Sequence, residues 1–183
     1  APASLELYEK CRDYDFNFYE GYGMSETTAT GMSTPGGRPK PHSVGVPYID
    51  MEVRIVDENG NDVPLGQPGE IWMRGPMVMK EYWNNPEETK KVFTEDGWLK
   101  SGDVAYMDED GYVFIVDRTK DMIIAGGYNI YPREVDEVLV KHPSVADAIT
   151  VGVPDDYRGE TVKAFVKLKP GASATADELI AWC

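Results

Sequence analysis

Residues 111–132, reading G-Y-V-F-I-V-D-R-T-K-D-M-I-I-A-G-G-Y-N-I-Y-P, constrain this chain more than any other stretch. Two apolar runs, Tyr112 to Val116 and Met122 to Ala125, flank the charged cluster Asp117-Arg118-Thr119-Lys120-Asp121, and the second run stops at Gly126-Gly127. Runs of about five apolar residues bounded by glycine and charge are too short for helices and read as buried strands. The charged joint is then either a surface turn or a linker between two packed units.

Length allows both. With 183 residues, 42% hydrophobic and 27% charged, the chain suits one or two globular units with a modest core. Its glycines and prolines fall where turns are needed, as in Pro35-Gly36-Gly37 and Pro64-Leu65-Gly66-Gln67-Pro68-Gly69. A formal charge of −14 repels polyanions, which argues against nucleic acid or an anionic membrane surface as partner. Any anionic ligand must be met locally. Cys11 and Cys183 match no metal or redox spacing, no apolar run has membrane-spanning length, and a reducing, cytoplasmic setting follows. Both ends read as cut. Ser4 is placed to cap a helix over Leu5 to Arg12, and Thr175-Ala176-Asp177-Glu178 has the capping-box form at the start of a helix only about two turns long. The expectation is a piece of a longer protein.

In chain order, Phe18-Tyr19-Glu20-Gly21-Tyr22-Gly23-Met24-Ser25-Glu26 brings aromatics and glycines up to a hydroxyl and a carboxylate. Glycines let backbone approach a flat or charged ligand, Ser25 could donate to a phosphate oxygen, and Glu26 is a hard oxygen ligand suited to Mg²⁺. A strand end and a Ser/Thr-rich loop would read the same way. Strands are expected from Glu52 and near Glu70 to Arg74, joined by a turn at Glu58-Asn59-Gly60. A short helix follows Asn85-Pro86, and a hairpin runs through Asp108-Glu109-Asp110-Gly111. These strands suit a small barrel or curled sheet. Asp103, following a glycine at a strand end, could accept from both hydroxyls of a ribose, with Arg118 as a cationic donor. Each reads equally as a turn or surface ion-pair residue. From Asp121 the character changes. Pro132 opens a helix with an apolar stripe of Val135, Val138 and Leu139, and strands follow at Val145 to Val153 and Val162 to Leu168. In the second, Val162, Ala164, Val166 and Leu168 point inward.

The ordered set Tyr22-Gly23-Met24-Ser25-Glu26, Gly69-Glu70-Ile71, Lys100-Ser101-Gly102-Asp103, Asp117 to Ile123 and Gly126 to Pro132 closely resembles the adenylate-forming superfamily. That group includes acyl-CoA synthetases, luciferases and peptide-synthetase adenylation domains. The Asp-Arg-x-Lys-Asp joint and the Gly-Gly-Tyr-Asn-Ile-Tyr-Pro loop look most like acyl-CoA ligases of fatty and related acids. The resemblance spans essentially the whole chain. It implies an α+β fold: residues 1–117 as the end of a large N-terminal domain with a barrel-like antiparallel sheet, 118–121 as a hinge, and 122–183 as an incomplete small C-terminal domain.

Residue by residue, the resemblance implies that Tyr22 packs on adenine, Gly23 belongs to the nucleotide site, Ser25 touches the nucleotide phosphate, Glu26 helps hold Mg²⁺, and Asp103 and Arg118 hold the ribose. Lys120 matches the hinge, and Gly126, Gly127 and Tyr128 match a loop lining the coenzyme A channel. It implies ATP/AMP, Mg²⁺ and coenzyme A as cofactor and cosubstrates, and a medium- or long-chain fatty acid as the carboxylate. The parent could also sit peripherally at a membrane.

The family's phosphate loop and downstream catalytic Lys are not among these residues, so the 183-residue chain alone is expected to be inactive. Its unpaired apolar surface in residues 1–50 would favour self-association. Two further readings stand beside this one. An aryl-CoA ligase or carrier-loading adenylating enzyme keeps the first half-reaction. Against an enzyme that stops at the adenylate, Val116 runs straight into Asp117 without the insertion such enzymes carry. A non-catalytic nucleotide-binding module is the other.

Overall fold

The computed structural model describes residues 5–36 and 39–183. The Ser4 cap and part of the Pro35-Gly36-Gly37 turn lie outside them. The chain divides into two compact units, residues 1–115 and 116–183.

In the first unit, helix α1 (Leu5–Asp13) precedes a three-stranded sheet of β1 (Gly21–Tyr22), β2 (Met32–Ser33) and β3 (Val46–Pro47) in that spatial order. A second sheet runs in sequence order, β4 (Glu52–Val56), β5 (Gly69–Arg74), β6 (Leu99–Met107) and β7 (Val113–Arg118). Alternation makes it possible: Ile71 and Met73 of β5 are buried while Glu70, Trp72 and Arg74 between them are only half-buried. Between β5 and β6 lies α2 (Pro86–Val92), capped as the sequence predicts, with the Asn85 carboxamide oxygen accepting from the Glu88 N–H. Met32, Ile71, Met73, Leu99, Ala105 and Val113 form the centre of one core joining the two sheets.

Of the small barrel or curled sheet that the strands suggest, the described residues form an open four-stranded sheet. Two expectations need correction here. The strand expected to stop at Val116 continues through Asp117 and Arg118, because strand pairing is carried by backbone groups and a strand end tolerates charge. The segment after Gly126-Gly127 is not loop but β9 (Tyr128–Ile130), which pairs with β8 (Ile123–Ala125).

In the second unit, β8 and β9 join β10 (Val145–Asp155) and β11 (Gly159–Leu168) in the order β10-β11-β8-β9. Helix α3 (Pro132–Val140) packs on β10, burying Leu139. Val162, Val166 and Leu168 are half-buried as expected, but Ala164 is exposed, since α3 lies over β10 more than over β11. Helix α4 (Ala176–Trp182) begins with the expected reciprocal capping box of Thr175 and Glu178. Trp182 donates from Nε1 to the Val138 carbonyl at 2.9 Å and meets His142 edge-on, which gives His142 a structural role. Cys11 and Cys183 are free thiols. No helix among the described residues is long and apolar enough to cross a membrane.

Candidate nucleotide and coenzyme site

In the first unit the structure brings Tyr22 and Asp103 together across 81 residues of sequence. The Tyr22 hydroxyl donates to Asp103 Oδ2 at 2.6 Å. Asp103 is aimed by a bulge in β6. Gly102 takes φ +73°, its N–H donates to Glu70 Oε1 at 2.9 Å, and the Asp103 N–H donates to the Ser101 hydroxyl at 3.0 Å. Glu70 also accepts from Trp72 Nε1 at 3.0 Å. Within the motif Gly69-Glu70-Ile71, Glu70 is therefore the prop of the Asp103 turn, a role with no local sequence signal.

Ser25 and Glu26 are presented by a single 3-10 turn, Ser25–Thr27. Thr27 is fully buried, and its hydroxyl both accepts from the Met24 N–H at 3.1 Å and lies 3.2 Å from the Met24 carbonyl, as donor. Inside the turn, Thr27 and Ala29 donate to the Met24 carbonyl, Thr28 to Ser25 and Thr30 to Thr27. Thr28 and Ala29 close it in the left-handed region, at φ 52° and 60°. Ser25 is left exposed and Glu26 half-buried. A Cβ on Gly23 would lie 2.3 Å from the Ala29 carbonyl carbon, so glycine is required there by backbone crossing. An open concavity of about 400 Å³ is lined by Gly21, Tyr22, Gly23, Ala29 and Tyr48 among others.

Glu26 is gripped from a segment that the sequence did not single out. The Met79 N–H donates to the Glu26 carbonyl at 2.7 Å, and the Tyr82 hydroxyl donates to Glu26 Oε1 at 2.6 Å. Among the described residues no cluster of three metal-ligating side chains occurs. A lone, oriented carboxylate fits a cation held chiefly by substrate phosphates, as Mg²⁺ is in nucleotide sites.

In the second unit, Lys120 is exposed in the turn of residues 119–121, which the Asp121 N–H closes by donating to the Arg118 carbonyl at 3.1 Å. Arg118 ends β7 and is exposed. Asp117 organises this region by accepting from the backbone N–H groups of Arg118 (2.8 Å) and Arg133 (3.2 Å). Gly126 and Gly127, at φ +60° and +85°, are the two-residue turn of the β8–β9 hairpin, closed by the Ala125–Tyr128 pair. Tyr128 stands 77% exposed beside that turn. Half-buried in α3, Asp136 has its pKa raised by burial, with the charges of Asp117 and Asp147 adding to it. Thr150 lies beside it, yet neither Asp136 Oδ1 nor Thr150 Oγ1 completes a hydrogen bond.

Known proteins match this chain in sequence and in fold. The family described as AMP-binding enzyme matches residues 1–83, and that described as AMP-binding enzyme C-terminal domain matches residues 134–183. A long-chain-fatty-acid–CoA ligase of Bacillus subtilis (strain 168) is 52% identical over 89% of this chain, and a feruloyl-CoA synthase of Amycolatopsis sp is 44% identical over all of it. The chain spans only 29% and 37% of those proteins' lengths. Among solved structures, O-succinylbenzoate coenzyme A synthetase from Bacillus subtilis, in complex with ATP and magnesium ion, superposes with a TM-score of 0.84 at 38% identity. The match covers 100% of this chain and 38% of that one. Two family models matched in order along one chain, with relatives this similar, show that it belongs to the adenylate-forming, AMP-binding enzyme family, in which acyl- and aryl-CoA ligases are its relatives.

Proposed function

We propose that this chain is part of an ATP-dependent fatty acyl-CoA ligase, acting within a polypeptide of its relatives' length. The observation that carries this reading is the Tyr22–Asp103 clasp beside the turn of Ser25 and Glu26, in a chain 52% identical to a long-chain-fatty-acid–CoA ligase. In the first half-reaction a carboxylate oxygen attacks the α-phosphorus of ATP. The bond to the bridging oxygen breaks, and pyrophosphate leaves with its electron pair. In the second, the sulfur of coenzyme A attacks the acyl carbon and AMP departs, giving acyl-CoA.

The protein's share is positioning and charge neutralisation. Tyr22 offers its ring to adenine, with Gly23 keeping the neighbouring backbone close. Asp103, held by Tyr22 and the Gly102 bulge, accepts from the ribose hydroxyls, and Arg118 donates to them. Ser25 donates to a phosphate oxygen. Glu26 would hold Mg²⁺, which when bound neutralises developing phosphate charge. Lys120 is the hinge position at which residues 122–183 turn relative to residues 1–117 between the half-reactions. Gly126, Gly127 and Tyr128 face the pantetheine arm, where a turn without side chains lets a thin chain pass. The setting is cytoplasmic. Exposed Tyr14, Phe16 and Ile49 would favour self-association of these residues.

The 44% identity to a feruloyl-CoA synthase supports aryl acids as the second substrate class. Incubation of the full-length protein with ATP, Mg²⁺, coenzyme A and a panel of fatty and aryl acids, read by mass spectrometry, separates the readings. Fatty acyl-CoA is expected. Aryl-CoA alone would move the assignment to the second class, acyl-AMP without thioester to a carrier-loading enzyme, and no acid-dependent AMP to a non-catalytic nucleotide binder.

A further inference from the structure

Tyr82 precedes α2, with Lys80-Glu81 before it and an 85% exposed Trp83 after it. Its backbone is nonetheless tightly fixed. The Tyr82 N–H donates to the Thr89 hydroxyl at 3.0 Å, its carbonyl accepts from the Asn85 N–H at 3.1 Å, and the Thr89 hydroxyl donates on to the Asn85 carbonyl at 2.9 Å. The first turn of α2 is thus the anchor from which the phenol reaches Glu26, 56 residues earlier. Three residues upstream, Met79 grips the Glu26 backbone. Residues 79–82 therefore hold both the main chain and the carboxylate of one residue. That investment exceeds what a turn residue needs for folding, because Thr27 already locks the turn from inside.

The hydrogen bond is one-sided. Tyr82 occupies Oε1, and among the described residues no donor is placed on Oε2. Mg²⁺ keeps near-ideal octahedral geometry and accepts single carboxylate oxygens beside phosphates and waters. A carboxylate with one oxygen held by a fixed donor is turned in one direction and biased to that single-oxygen mode. Partners behind a ligand that fix its orientation typically contribute 10- to 100-fold in metal affinity.

We propose that Tyr82 is a positioning residue for the nucleotide-bound cation: it clamps Glu26 Oε1 so that Oε2 alone is presented to Mg²⁺. This rests on the reading that Glu26 holds the cation, and the test keeps the two apart. In the full-length protein, equilibrium binding of a non-hydrolysable ATP analogue is titrated against Mg²⁺ for the wild type, Tyr82→Phe, Glu26→Gln and the double variant. Binding of AMP without metal is measured alongside. Tyr82→Phe is expected to raise the Mg²⁺ needed for half-maximal analogue binding about tenfold and to leave AMP binding unchanged. Glu26→Gln is expected to raise it further, and the double variant to match Glu26→Gln, since Tyr82 acts only through that carboxylate.

If Glu26→Gln shifts the Mg²⁺ requirement and Tyr82→Phe does not, the positioning role is overturned and the metal assignment stands. If Glu26→Gln shifts nothing, the metal assignment falls and the role of Tyr82 with it. Equal weakening of AMP and analogue binding by Tyr82→Phe would reduce the residue to a structural prop and overturn the proposal. Should Tyr82→Phe fold poorly, Thr89→Val, which loosens the same anchor without touching the phenol, must give a smaller shift in the same direction. An unchanged requirement there would likewise overturn it.

Discussion

Two glycines, one in each compact unit, are required for opposite reasons. Gly23 has an ordinary backbone conformation but no room: a Cβ there would sit 2.3 Å from the Ala29 carbonyl carbon. Gly127 has room, with nothing within 4 Å of a Cβ, but its φ of +85° belongs to the left-handed region. The first is a constraint of packing between segments, the second one of local chain geometry. The contrast extends to the sites around them. In residues 1–115 three of the groups assigned to the nucleotide and its cation are held by partners far off in sequence, Tyr22 with Asp103 and Glu26 with Tyr82. In residues 116–183 the groups assigned to the hinge and to coenzyme A are set by turns of two or three residues. A site assembled at long range fails when its fold is disturbed, whereas one built from local turns survives loosening of its surroundings.

The sharpest way to break this contrast is Gly23→Ala. Forcing an extra carbon into packed backbone is expected to cost about 3 kcal/mol and to abolish AMP binding. Denaturant melts followed separately in the two units by hydrogen exchange would check it, with only residues 1–115 responding. Gly127→Ala is expected to cost less, about 1–2 kcal/mol, confined to the β8–β9 hairpin. Gly127→Asn should recover part of it, since asparagine tolerates that conformation. A loss in Gly127→Ala as large as that of Gly23→Ala would mean that the hairpin turn is also packing-limited.

The smallest effect is expected at Asp136. Burial raises its folded-state pKa above the ordinary carboxylate value, so the native state binds the extra proton. Stability from this group therefore rises as pH falls from above the folded pKa towards the unfolded one, and the charged carboxylate is the unfavourable form at neutral pH. Asp136→Asn should raise the melting temperature of residues 116–183 at pH 7.5, and its advantage should vanish below pH 4. A uniform gain across that range would assign the effect to something other than ionisation.

Sequence legibility followed the same divide. Asn85-Pro86, Thr175-x-x-Glu178 and the alternation of β5 announce their structures because the interactions close within a few residues. The identity of Tyr22, Glu26 and Asp103 as one neighbourhood came only with the family resemblance. Their partners Tyr82, Glu70 and Thr27 carried no signal, since a tyrosine before a helix cap or a glutamate in a strand has an ordinary local explanation. Strand β9 escaped for a different reason. It is three residues long with two exposed, and its pairing depends on the Gly-Gly turn rather than on its own apolarity.

The turn that presents Ser25 and Glu26 keeps its amide hydrogens to itself: those of Thr27, Thr28, Ala29 and Thr30 are all donated within residues 24–30. They can meet solvent deuterons only when that turn opens. Their common exchange rate is accordingly a stopwatch on how often Ser25 and Glu26, the groups proposed to face phosphate and its cation, leave their places. Because the turn is closed by Thr28, a β-branched residue at φ 52°, it releases strain when it opens, and a bound nucleotide would register first as a slowing of those four protons.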